Sequence, residues 1–357
     1  MAAVGRGAAR GSLPALVAFL ACALFVPCSG EASFRQGVIG VRLSDRVGEY
    51  VAWSPDSRWI AEPARAGLRL RNVESGEVRS LRAPAYLASP FPPPGPLDWA
   101  PDGTIRYLTS PSFPPFAGSN ASTLTEVRVD GSGVRRQSLD LRVGHTDWAP
   151  QGWPLVFAAG PYAYDFDKGP IGPKPSLFVV DGFDAAPRRI LQIPRPVGEE
   201  AITEPAVSPD GGRIAYQRWG RGFNLSIWVI GAEGSDPKRL AGGLNAAFTL
   251  EWSPDDGTLA LGAHTTARSG QQVHVVPAAG GKLRKIVDEE ILDGPAWSPD
   301  GNWLAYSTHE GEIWRVHPDG SGRQLIATIP GREPKDLLWS PDGRRLAYSA
   351  PPPPRSD

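Results

Sequence analysis

The sequence is poor in sulfur. It holds two cysteines, Cys22 and Cys28, and both fall within the first thirty residues. The body that follows has no thiol to form an internal disulfide or to serve as a nucleophile. It also lacks a charge excess, with 37 Lys+Arg against 38 Asp+Glu and no basic stripe or acidic block. That balance argues against a nucleic-acid partner, which would need an electropositive footprint. No apolar run is long enough to span a bilayer. The longest, Leu13 to Val26, falls short of the roughly 20 residues such a helix requires. The body shows no Gly-rich phosphate loop, no Gly-x-Ser-x-Gly nucleophile elbow and no extended helical periodicity.

The first thirty residues form a segment of their own. Arg6 and Arg10 precede the apolar run, and small residues around Gly30 and Ala32 follow it, the layout of a secretory leader. Residues 1–30 are therefore expected to be a signal peptide and the protein to be exported to the periplasm or cell envelope. Cys28, followed by Ser29-Gly30-Glu31-Ala32-Ser33, offers the alternative of a lipoprotein signal with a membrane tether. Phe25-Val26-Pro27 departs from the small residues that such a signal places before its cysteine.

Turn-forming residues are plentiful, with Gly 41 and Pro 38. They are organised around one pentapeptide, clearest at Trp297-Ser298-Pro299-Asp300-Gly301. In it Pro pre-sets φ, Asp can bond the turn backbone and Gly accepts positive φ. Versions start at Trp53, Trp99, Trp148, Val207, Trp252, Trp297 and Trp339, spaced 42 to 59 residues apart. A period of about 40–50 residues marks four-stranded propeller blades.

Each copy is followed by strand-like segments. Blade five shows Thr258–Gly262, Gln272–Val276 and Lys282–Val287 after its motif. With the Trp-bearing strand as A, the innermost, the segments run A to D outward. The expectation is an all-β chain with a single β-propeller over residues 31–350. Seven blades are expected, with six or eight as the alternatives. The last blade breaks off at Ala350, and Val38 to Leu43 is a spare strand to complete it, so that the N- and C-terminal strands close the ring. Residues 351–357, Pro-rich and charged, are expected to be a disordered tail.

These repeats resemble the WD40-like PD40 repeats of the TolB-type propeller family. The likeness rests on Trp-Ser-Pro-Asp-Gly, an Ile-Trp-Val-like strand and Asp319-Gly320-Ser321-Gly322. It covers nearly all of residues 36–350. It implies a propeller and says little about activity, because this scaffold serves binding proteins, protease gating domains and lyases alike. TolB proteins themselves carry an α/β domain ahead of the propeller, and only about twenty residues separate leader and first motif here.

Function is expected where the repeats differ. The motif aspartates read as turn formers and the motif tryptophans as wedges between blades. The long insertions are 83–96, 110–122 and 159–175, all in the D–A or B–C class that shares one face of a propeller. They carry Tyr86, Phe91, Phe113, Phe116, Tyr162, Tyr164 and Phe166 among Pro and Gly. Exposed aromatics on such loops would give a recognition surface for a protein or peptide partner in the cell envelope. A monomer with no cofactor and no assigned catalytic residue is expected.

The alternative is a metal-dependent carbohydrate lyase or hydrolase. Oligogalacturonate lyases are similar propellers that bind a metal through histidines, and by that resemblance His145, His264 and His309 would be the ligands. His264 and His309 lie at the same offset from their motif Trp.

Overall fold

In a computed structural model of the protein, the described residues are 33–34, 37–43, 51–64, 67–82, 97–109, 121–141, 143–150, 152–160, 163–165, 169–171, 174–194, 201–220, 224–266 and 269–351. Residues 33–34, 163–165 and 169–171 are described by their backbone alone. Residues 1–32, with Cys28, and residues 352–357 lie outside this set. The described residues contain strands and turns and no helix, and so none long and apolar enough to cross a membrane.

The strands form a seven-bladed β-propeller. Blade five is representative: Ala246–Trp252, Thr258–His264, Gln272–Pro277 and Arg284–Lys285 pair antiparallel in chain order. Its B strand is buried from Leu259 to Ala263 and its C strand from Val273 to Val276, whereas both D residues are exposed. The middle strands read as continuous apolar runs because both of their faces are covered by the neighbouring blades.

The core is accordingly divided into seven wedges, one at each blade–blade interface. Between blades four and five, for example, Ala215, Leu225 and Ile227 meet Trp252, Leu259 and Leu261. Full burial of such side chains stabilises by roughly 1.5–3 kcal/mol each.

The motif fixes the A–B turn by a repeated set of bonds. In blade five the Ser253 hydroxyl donates to Asp255 Oδ1 (2.5 Å) and accepts from Thr258 N–H (2.9 Å), while Gly257 N–H donates to Asp255 (3.0 Å). The same arrangement recurs around Ser54, Ser208, Ser298 and Ser340. The Ser208 hydroxyl and then the Gly212 N–H hold the Asp210 carboxyl below its usual range. These aspartates are turn formers.

Four motif tryptophans, Trp53, Trp252, Trp297 and Trp339, tie their blades to the one before. The indole N–H of Trp252 donates to Ala206 O (2.9 Å), that of Trp339 to Ala296 O (3.2 Å), and that of Trp53 to Leu338 O (3.2 Å) across the ring closure. Each acceptor is the residue just before the preceding blade's motif position. Neighbouring A strands also touch one another, which places them on the inside of the ring.

The terminal strands do close the ring, by an unexpected route. Ile39–Arg42 joins blade seven beside Arg345–Ser349, and the pair is parallel. The joining strand runs in the direction of a D strand but lies next to B, and in an antiparallel A–B–C–D order B and D point the same way. Among the described residues blade seven thus has three strands, Lys335–Trp339, Arg345–Ser349 and Ile39–Arg42. Blade six gains a fifth, Ser33–Phe34, on its outer strand Gln324–Thr328. The N-terminal stretch therefore straddles the last two blades.

Candidate functional site

The inner strands carry the irregular chemistry. Between A and B the pairing register breaks at Glu204–Pro205 in blade four, Phe248 in blade five, Gly294–Pro295 in blade six and Asp336–Leu337 in blade seven. Such bulges re-aim side chains and favour functional rims. Glu204 and Asp336 hold positive φ, 45° and 55°, a conformation that non-glycine residues adopt rarely.

Where the inner strands of blades three, four and five meet, they enclose a cavity of about 390 Å³. His145, Asp147, Glu204, Glu251 and Phe248 supply its distinctive chemistry, and Pro150, Pro205 and Pro209 stiffen its walls. Phe248 is 54% exposed, one of four large hydrophobic side chains so exposed among the described residues. The bulge holds it out of the core, and the His264 ring packs across it at 5.3 Å with an interplanar angle of 62°.

The carboxylates are tied to backbone. Asp147 Oδ2 accepts Val207 N–H (2.7 Å) and Glu251 Oε2 accepts Trp297 N–H (2.9 Å), each reaching from one blade to the next. Some of their surface still faces the cavity, yet withdrawal from bulk water pushes the Asp147 carboxyl up to about 7, against its bonds to Val207 and Trp148. The same effect pushes Glu251 up to about 8, with the Asp147 charge adding to it. At neutral pH Asp147 therefore sits near its midpoint and Glu251 is mostly protonated. At the edge of the cavity His145 Nδ1 lies 2.7 Å from Glu204 Oε1, and that bond raises the imidazole pKa.

The sequence-predicted residues fall in different places. Tyr86, Phe91, Phe113, Phe116, Tyr162 and Phe166 lie outside the described residues. Tyr164 lies on a two-stranded ribbon, Ala163–Asp165 paired with Gly169–Ile171, inside the blade-three B–C insertion. The three histidines are not brought together as a ligand set. His145 pairs with Glu204, His264 Nδ1 lies 2.6 Å from Ser269 O, and His309 Nε2 lies 4.0 Å from Glu290. No group of three or more His, Cys, Asp or Glu placed to hold a metal occurs among the described residues.

The residues that sequence reading passed over are Asp147, Glu204, Phe248 and Glu251. A signal was present: Asp98-Trp99, Asp147-Trp148 and Glu251-Trp252 each put an acid just before the motif Trp.

No protein-family profile matches the chain. A Bacillus subtilis protein described as the uncharacterized peptidase YuxL is 28% identical over 120 residues, 31% of this chain and 18% of YuxL. The Agrobacterium fabrum protein Atu1656 is 28% identical over 127 residues, 34% of this chain and 41% of its own. The chain thus spans less than half the length of these curated relatives. Among solved structures it is similar to TolB from Acinetobacter baumannii (TM-score 0.51, 18% identity, 82% of this chain and 66% of TolB). Hydrazine synthase from Kuenenia stuttgartiensis gives a TM-score of 0.57 at 16% identity, covering 87% and 94%. An oligogalacturonate lyase in complex with manganese gives 0.56 at 14%, covering 78% and 76%. At these identities the likenesses establish the fold.

Proposed function

We propose that this chain is an exported, non-catalytic binding propeller of the TolB-type PD40 kind, and that it receives part of a protein or peptide partner in the inner-strand cavity of blades three to five. The observation that carries the reading is Phe248, a large aromatic held 54% exposed at the cavity by a bulge in an otherwise regular strand. Concave sites with an apolar wall and a few placed polar groups are where ligands bind. The insertion loops with Tyr86, Phe91, Phe113, Phe116, Tyr162, Tyr164 and Phe166 extend the recognition surface in this reading. The leader delivers the protein to the cell envelope.

The metal-dependent lyase reading draws less support. Its three imidazoles have separate partners, and no group of three metal-holding side chains occurs among the described residues.

Selection of a displayed random-peptide library on the full chain tests the proposal. Enriched peptides should lose at least tenfold in affinity for Phe248→Ala. A library in which every binder is indifferent to Phe248→Ala would rule the cavity out. Export is tested separately by the mass of the mature protein, expected to lack residues 1–30 or to carry lipid on Cys28.

A further inference from the structure

Asp98, Asp147 and Glu251 occupy one equivalent position, just before the motif tryptophan of blades two, three and five. Their surroundings differ in one respect. The residue paired across from Asp98 on the adjoining strand is Arg106, whose Nη1 lies 2.8 Å from Asp98 Oδ2. The residue across from Asp147 is Val156, and the one across from Glu251 is Ala260. Blade two therefore supplies its inner acid with a guanidinium of its own, and blades three and five put an apolar residue in that slot.

An ionised carboxylate has about four acceptor positions. Among the described residues, Asp147 and Glu251 accept hydrogen bonds from backbone N–H groups alone. No lysine or arginine is among the described residues lining the cavity, and its one histidine, His145, is engaged by the third acid, Glu204, at 2.7 Å. Acids kept close together away from bulk water without a cation are costly.

A second, independent observation comes from the opposite kind of side chain. Phe248 presents an apolar aromatic surface to the same cavity. Its exposure has no purpose in the packing of blade five, whose wedge is filled by Trp252, Leu259 and Leu261. An aromatic wall beside carboxylates suits a cation on an apolar stem, the stem lying on the ring and the charge meeting the acids.

We infer that the cavity takes one basic side chain, arginine or lysine, projecting from a bound peptide, with its charge against Asp147 and Glu251 and its methylene stem along Phe248. The inference rests on the proposed binding role and names the chemistry that the site selects. The incoming cation does for blades three and five what Arg106 does inside blade two.

The test uses titration calorimetry on the full chain with four capped pentapeptides, identical except for a central arginine, lysine, citrulline or norleucine. Citrulline keeps the shape of arginine without its charge. The arginine or the lysine peptide should bind at least tenfold more tightly than the citrulline peptide, and added NaCl should weaken that binding. The preference should shrink to less than about threefold in the double variant Asp147→Asn, Glu251→Gln. Unchanged thermal melting of the variant excludes misfolding. Should the double variant melt early, the single variant Phe248→Ala serves instead, and it is expected to weaken the arginine, lysine and norleucine peptides alike. Equal binding of the arginine, lysine and citrulline peptides overturns the cation inference and leaves the binding role standing. Binding of none of the four overturns both.

Discussion

Replacing Glu251 by glutamine should make the protein more stable at alkaline pH and leave it unchanged at acid pH. Withdrawal from bulk water raises this carboxyl from 4.5 to about 8, and the neighbouring Asp147 charge adds to the effect. The unfolded chain releases the same proton near the ordinary glutamate value. Between about pH 4.5 and 8 the unfolded state therefore holds fewer protons than the native state, and native stability falls as pH rises. At 1.36 kcal/mol per pKa unit the full shift corresponds to about 5 kcal/mol. Because part of the side chain still meets cavity water, about 2 kcal/mol is the working figure. Glutamine can still accept Trp297 N–H (2.9 Å from Glu251 Oε2) and carries no charge to desolvate. Urea unfolding of both proteins from pH 4.5 to 8.5 should give curves that coincide at the acid end and separate progressively, with the variant more stable. A constant offset, or a wild type that gains on the variant as pH rises, would refute the reasoning.

Three further outcomes follow from the packing. Trp252→Phe removes the indole donor to Ala206 O (2.9 Å) and should cost about 1–2 kcal/mol in urea unfolding. Ser253→Ala leaves Thr258 N–H without its hydroxyl acceptor and Asp255 without its donor, and should lower stability by about 1–2 kcal/mol. A methyl group at Gly262 would lie 2.6 Å from Gly294 O in the next blade, so Gly262→Ala should cost about 1–3 kcal/mol and broaden thermal unfolding.

The legible part of this molecule is the part that repeats. Trp-Ser-Pro-Asp-Gly names its own turn, and its recurrence gives the blade count, because Ser Oγ, Asp Oδ1 and a positive-φ glycine suffice to build the corner locally. The parallel closure was hidden. Val38 to Leu43 read as a strand, but its direction depends on which slot of blade seven it enters, and that is decided by strands some 300 residues away. The bulges at Glu204 and Phe248 were hidden for the same reason, since a register break exists only relative to a partner strand. The inner acids were visible as Asp147-Trp148 and Glu251-Trp252. Their meaning lay in the cross-strand residues Val156 and Ala260, read against Arg106.

The parallel pairing of Ile39–Arg42 with Arg345–Ser349 makes this propeller a clasp whose two halves are synthesised some 300 residues apart. The first half waits for some 300 residues before its mate exists. Bringing the two together carries a loop-closure entropy of about 5 kcal/mol beyond a constant, from the logarithmic dependence on loop length. That cost is met all at once, when the seventh interface, Val41 and Ala347 against Val51, Trp53 and Ile60, forms. Until then blade one has an uncovered face and the ring stays open. A chain cut short ahead of Arg345 would keep most of its blades and lack the clasp, so quality control that reads exposed apolar blade faces would recognise an unfinished copy.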